Sequence, residues 1–216
     1  MLDHNWEMIN GDAAHAIEVL NYSNQVNVIE ALVHYLSFHG GVDPERGCLQ
    51  CPTERAMQEL HRTGTLFLLA KPGEYREEEV HIAANGVVVY VPPVHTEVAE
   101  YMRQFAMDLA VKWGGMSAVQ IAAFCLWRIN WIHPFKNGNG RTARAVAYTC
   151  ICLKLGFIPG GSPTMIDLIM RNKPEFERLL MHADKTLDDN GVEDIEPLAA
   201  FVERLLVEQL STIPMA

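Results

Sequence analysis

The chain predicts an all-α fold with one small β-hairpin, and three observations carry that expectation. Most of its 216 residues lie in segments whose apolar side chains recur at helical spacing. One stretch alone, 80–91, switches to β-branched runs around Asn85-Gly86, a strong hairpin signal. Glycines, prolines and capping residues stand at the joints between these segments, where helices start and stop. With no internal repeat, low-complexity tract or linker, residues 1–216 read as a single domain, its core at about 53–206.

In chain order, Ala13 to Phe38 is rich in Val, Leu and Ala with few breakers before Gly40-Gly41, and predicts a long helix or a helix pair. These N-terminal helices, at about 13–39, are expected to pack on the core. Pro44, Gly47 and Pro52 make Gly41 to Pro52 a loop, and Thr53 caps a helix expected to reach Leu69, with Gly64 interrupting it. Pro92-Pro93 ends the hairpin. Thr96 caps the next helix, in which Val98, Met102, Phe105 and Leu109 share a face, and Gly114-Gly115 close it. Ser117 and Gln120 form a capping-box pattern for a helix apolar on nearly all sides through Ile132, which should be central and buried. A further apolar helix is expected from Arg141 to Leu155, ended by Gly156 and Pro159. Later helices are expected over Pro163–Met170, Pro174–Asp184 and Ile195–Leu210.

Composition narrows the function. The formal net charge of −10 and pI near 5.3 oppose binding to nucleic acid. The clear cations cluster at Arg141 and Arg144, with Arg128 and Lys136 nearby, a patch sized for one triphosphate. The first residues show no secretory pattern, and no apolar run is long enough to span a bilayer. Five cysteines without a disulfide-like spacing point to a reducing cytoplasm. Cys48-Leu49-Gln50-Cys51 is half of a zinc spacing, but its complement is missing, so buried or incidental thiols are expected. The ten methionines are spread as core filling.

The densest chemistry lies in the run from His133 to Arg144. Gly138 and Gly140 let the backbone turn tightly and aim amide hydrogens at an anion, and the following helix N-terminus favours negative charge. Arg141 and Arg144, three apart, would share a helix face and hold neighbouring phosphates. His133 stands just before the turn, a base beside a phosphate cradle. A dinucleotide fingerprint is a poor reading, because helix rather than strand precedes it and no acid follows at the required distance. A Walker loop fails on Arg141-Thr142 and on its glycine spacing. The other histidines read as surface or packing residues.

These residues resemble the signature of the Fic family, His-Pro-Phe-x-(Asp/Glu)-Gly-Asn-Gly-Arg-x-x-Arg, at every fixed position except the acidic one, where Asn137 stands. Gly73-Glu74-Tyr75-Arg76, Val80-His81-Ile82 and Tyr90-Val91-Pro92-Pro93 are similar to the segment forming that family's β-hairpin flap. Glu18-Val19-Leu20-Asn21-Tyr22 and Leu60-His61-Arg62 also resemble family landmarks, so the likeness runs from about residue 18 to Leu206.

The resemblance implies a mainly helical Fic-type fold and a nucleotidyl transferase that moves AMP from ATP to a Ser, Thr or Tyr hydroxyl of a target protein. His133 would take the hydroxyl proton, and amides around Gly138, Asn139 and Gly140 would stabilise phosphate charge. Arg141 and Arg144 would hold the β- and γ-phosphates, Phe135 would anchor the loop, and the hairpin at 80–91 would dock the target. In the family the residue at Asn137 holds a divalent metal. Mg²⁺ is therefore expected, with a neutral ligand in place of the carboxylate. Either the metal is held more weakly, or the activity is low or different. The alternatives are a degenerate nucleotide-binding or interaction module, or transfer of phosphate, phosphocholine or UMP. The family's inhibitory pattern, (Ser/Thr)-x-x-x-Glu-(Gly/Asn), has no clean copy here. Asn10 stands where the Glu of Trp6–Gly11 should be, and Glu30 reads as a helix-surface acid, leaving open inhibition by a partner or another segment.

Overall fold

The structure is a computed structural model that describes residues 6–39, 42–43, 47–48, 51–84 and 86–213. Among the described residues it has eight helices and two small antiparallel strand pairs. The first helix, α1 (Gly11–His39), runs unbroken, which resolves the helix-or-pair alternative. The predicted loop after it contains a minimal strand pair, β1 (Val42–Asp43) with β2 (Gly47–Cys48), which local pattern did not reveal.

The next helix, α2 (Glu54–Thr65), is capped by Thr53, whose hydroxyl accepts from the Ala56 N–H, and it stops before the expected Leu69. Leu66 is extended and Phe67 is left-handed at φ 63°. This reversal lets Leu68 and Leu69 bury against Trp6 and Ala14 in a small separate cluster, a gain that helix continuation would forfeit.

The flap pairs β3 (Ile82–Ala84) with β4 (Val87–Tyr90), shorter than the expected 80–91, with an irregularity between Ile82 and Ala83. Gly86 has φ 79°, as a tight hairpin turn requires; Asn85 lies outside the described residues. After it, Thr96 caps nothing. It sits inside a 3-10 turn (His95–Glu97), and α3 (Val98–Trp113) follows with the expected face, Val98, Met102, Phe105 and Leu109, buried.

The capping box at Ser117 and Gln120 forms, opening α4 (Ala118–Ile132). This helix is central. It packs on α5 (Asn139–Leu155), α3 and the last helix, α8 (Glu196–Ser211), and Ile121, Leu126, Ile129 and Ile132 are fully buried. Between them, α6 (Met165–Arg171) starts at a Thr164/Asp167 capping box, and α7 (Lys173–Asn190) runs six residues past the expected Asp184 to a left-handed Gly191. The α4–α5 pair leaves only six residues, 133–138, to cross from one helix to the other. That short crossing is the mount for the site.

Candidate active site at the α4–α5 turn

His133 is the left-handed cap of α4 (φ 50°, ψ 58°), its N–H bonded to the Ile129 carbonyl at 2.9 Å. A non-glycine residue in this region is strained, so the surroundings must impose it. Arg76 does so. Its main-chain N–H donates to the Pro134 carbonyl at 2.9 Å, and its Nε donates to the His133 carbonyl at 2.9 Å. The same guanidinium reaches the carbonyls of Glu78 and Pro93, and the residue is only 5% exposed. Arg76 therefore rivets the base of the flap to the motif.

The His133 ring is largely buried, and Nδ1 makes no hydrogen bond to a described group. Burial pushes its pKa down to about 4; the Asn130 carbonyl acts the other way, without reaching hydrogen-bond geometry, and the Arg76 charge adds to the lowering. The imidazole is neutral near pH 7 and able to accept a proton.

The loop is locked from two further sides. The Asn139 side chain grips the Phe135 backbone twice, accepting from its N–H at 2.8 Å and donating to its carbonyl at 2.7 Å. Phe135, fully buried, stacks on His61 with ring centroids 3.7 Å apart and planes 7° from parallel. The Nδ1 of His61 accepts from the Gly73 N–H at 2.8 Å, so Nε2 carries the proton and donates to the Asn137 carbonyl at 2.9 Å. Burial lowers the pKa of His61 to about 4 and keeps it neutral. The expected anchoring by Phe135 is thus present, and His61, expected as surface or packing, packs the motif itself.

Gly138 has φ 78°, and a Cβ there would lie 2.7 Å from the Thr65 methyl and 3.4 Å from His61 Nε2, so only glycine fits. It turns the chain alone. Asn139 and Gly140 are already helical, and α5 begins two residues before the expected Arg141. The amides of Asn139, Gly140 and Arg141 thus occupy the first turn, where no carbonyl precedes them in the helix. They stand where the sequence predicts an anion-binding end.

The two arginines are placed differently. Arg144 folds back so that a Cβ on Gly140 would meet its Nη1 at 3.3 Å, which puts its guanidinium at the cradle. Arg141 instead donates to the Gly64 carbonyl at 2.7 Å and lies 3.3 Å from Glu18 Oε1, over the Trp6 ring. Glu18 is 5% exposed and also accepts from Trp6 Nε1 at 2.6 Å. Arg141, expected as a phosphate clamp beside Arg144, is held to Glu18 of α1 in this structure. Nor do the other cations join. Arg128 lies on the faces of Trp131, Trp127 and Tyr101, and Lys136 bridges Glu7 and Glu78 at 2.6 Å each. The cleft beside Lys136, about 360 Å³, sets four carboxylates, Glu7, Glu74, Glu77 and Glu78, against Lys71, Arg76 and Lys136, and Lys71 and Lys136 are ion-paired to those carboxylates.

Asn137 fits a divalent metal poorly. Its Oδ1, the side-chain atom able to ligate a hard cation, accepts the Gly138 N–H at 2.6 Å, and the group is neutral. No group of three or more His, Cys, Asp or Glu suited to a metal occurs among the described residues. The zinc half-spacing falls partly outside them, at Leu49 and Gln50. Cys125, Cys150 and Cys152 are buried free thiols, and Cys51 is buried. No described helix is long and apolar enough to cross a membrane.

Residues 51–151 match the family model described as the Fic/DOC family. A protein adenylyltransferase Fic of Nematostella vectensis is 28% identical over 133 residues, covering 61% of this chain and 27% of that protein. The corresponding protein of Drosophila ananassae is 32% identical over 88 residues, 40% of this chain and 16% of its own length. The chain thus spans about a quarter or less of these curated relatives. Among solved structures, a Fic domain containing signaling protein from Bacteroides thetaiotaomicron superposes with a TM-score of 0.63 at 19% identity, over 89% of this chain and 71% of that one. BepC of Bartonella tribocorum, solved with bound AMPPNP, gives 0.53 at 13% identity, over 88% and 86%. These structural likenesses carry the fold. Motif, fold and family match agree that residues 51–151 form a Fic/DOC family domain.

Proposed function

We propose that the chain transfers AMP from ATP to a Ser, Thr or Tyr hydroxyl of a target protein, releasing pyrophosphate. The observation that carries this reading is one six-residue crossing that holds a neutral, largely buried imidazole beside a helix N-terminus lined by Gly140 and Arg144. The hydroxyl oxygen attacks the α-phosphorus, and the bond from that phosphorus to the bridging oxygen of the β-phosphate breaks. His133 takes the hydroxyl proton through Nε2, since Nδ1 is buried. Such a base contributes about 10² to 10⁴ in rate. The first amides of α5 stabilise charge on the phosphates, and Arg144 holds the terminal phosphate so that the α-phosphorus stays in line. No step is assigned to a metal.

The flap supports a docking role. Val87, Val88 and Val89 are exposed, and among the described residues β4 pairs with β3 alone. An extended target segment would pair with its edge and bring a hydroxyl toward His133.

A second reading rests on Asn137 and Arg141. A neutral loop amide and an arginine bound to Glu18 favour a nucleotide-binding module with little turnover, or a donor other than ATP. Incubation with ATP labelled at the α- or γ-phosphate in a cell lysate separates these. Retention of α-label supports AMP transfer, retention of γ-label alone means phosphorylation, and retention of neither favours the binding module or another donor.

A further inference from the structure

We propose that Asn137 is a self-modifying residue: the main-chain nitrogen of Gly138 displaces its side-chain amide as ammonia, and hydrolysis leaves aspartate at position 137. Asparagine before glycine is chemically prone to this ring closure, because glycine does not hinder the approach. The chain contains the dipeptide five times, at Asn10, Asn85, Asn137, Asn139 and Asn190. The fold treats them differently.

At Asn137 the reacting groups are already together. The Gly138 nitrogen lies 2.6 Å from Oδ1, and the carbon it must attack is bonded to that oxygen. This bond keeps the side-chain carbonyl facing the nitrogen, which reduces the rotational freedom that ring closure must remove. A second feature activates it. Once Gly138 N–H loses its proton to solvent, the charge moves mainly onto the Asn137 main-chain oxygen of the same peptide group. That oxygen accepts from His61 Nε2 at 2.9 Å. The Gly73 N–H fixes the ring tautomer at 2.8 Å, so the donor is in place before the charge forms, in the manner of an oxyanion hole.

Two other sites lack this arrangement. Both polar atoms of the Asn139 side chain are tied to Phe135, inside the first turn of α5. After Asn190, the Gly191 N–H is bonded to the Leu187 carbonyl at 2.8 Å.

The reaction balances without any oxidant. The Gly138 nitrogen forms a bond to Cγ, the bond from Cγ to Nδ2 breaks, and ammonia leaves with a proton from solvent. Water then opens the cyclic imide at the Cγ side, returning the peptide bond and leaving a carboxylic acid that ionises. A neutral side chain becomes an anion at the position where the Fic signature has an acidic residue. The unmodified loop, a poor metal ligand, would thereby gain the hard donor it lacks.

The test is peptide mass mapping of the full chain held at 37 °C and neutral pH, folded and in urea, with separation of aspartate from isoaspartate. Conversion at position 137 is expected to be roughly tenfold or more faster in the folded chain than in urea, the effect of one hydrogen bond to a developing charge. Positions 139 and 190 should be slower folded than unfolded. The variant His61→Gln, compared in the folded state, should lose most of the acceleration. Conversion at position 137 no faster folded than unfolded, or isoaspartate as its sole product, overturns the proposal. The folded-to-urea ratio in the unsubstituted chain decides the matter even where His61→Gln folds poorly.

Discussion

Acidification from pH 7 to pH 5 is expected to weaken the fold through two imidazoles. Burial holds His61 and His133 down to about 4, whereas an unfolded histidine titrates near 6.5. Because the folded values are depressed, the unfolded chain takes up protons that the folded chain refuses. Stability is therefore full above about pH 6.5 and is lost as pH falls toward 4. Integrated between pH 7 and pH 5, each histidine removes about 2 kcal/mol, and the pair about 4 kcal/mol. That is a large share of the roughly 5–15 kcal/mol available to a domain. Asp184 opposes this, since burial raises its carboxyl and the cost of its charge declines as pH falls through that raised value. Urea unfolding at the two pH values measures the difference directly. In His61→Gln the chain should be weaker at pH 7, through lost stacking on Phe135, yet show about half the pH dependence. Equal urea midpoints at both pH values for the unsubstituted chain, or an unaltered pH dependence in the variant, would refute the reasoning.

Four further outcomes are expected. His133→Ala should abolish transfer with ATP affinity changed by less than about threefold, since the imidazole acts on the incoming hydroxyl; calorimetric binding checks this, and parallel loss of binding would mark the residue as structural. Arg144→Ala should weaken ATP by roughly tenfold and AMP far less, as a charge-assisted contact to the terminal phosphate requires; equal weakening contradicts the assignment. Val88→Pro should reduce labelling of a protein target while sparing ATP binding, because it removes an amide from an exposed flap strand; undiminished labelling would remove the flap from substrate docking. Arg76→Ala should lower stability by about 3 kcal/mol or more, leaving carbonyls of His133, Glu78 and Pro93 without their donor; a thermal midpoint close to that of the unsubstituted chain would mean that water replaces the guanidinium.

What could be read from sequence follows how far each cause lies along the chain. The capping box at Ser117 and Gln120 involves residues three apart, and it formed as the pattern predicts. So did the buried face of α3. The start of α5 was misplaced because Gly138-Asn139-Gly140 reads as a turn of three, whereas Gly138 makes the reversal alone and Asn139 turns its side chain back to hold Phe135. The end of α2 was missed for a tertiary reason: Leu68 and Leu69 leave the helix to cover Trp6, and no local preference encodes that partner. The site divides along the same line. His133, Gly138 and Arg144 announce themselves because their chemistry is contiguous. Their positioning partners stand out only as family landmarks without a role, since His61 lies 76 residues from the carbonyl it holds, Arg76 lies 57 residues from His133, and Glu18 lies 123 residues from Arg141. A motif can therefore state which groups are available without stating which are committed. Arg141 matches the signature as fully as Arg144 does, yet a buried carboxylate on α1 claims it, so any phosphate that reaches Arg141 must compete with Glu18.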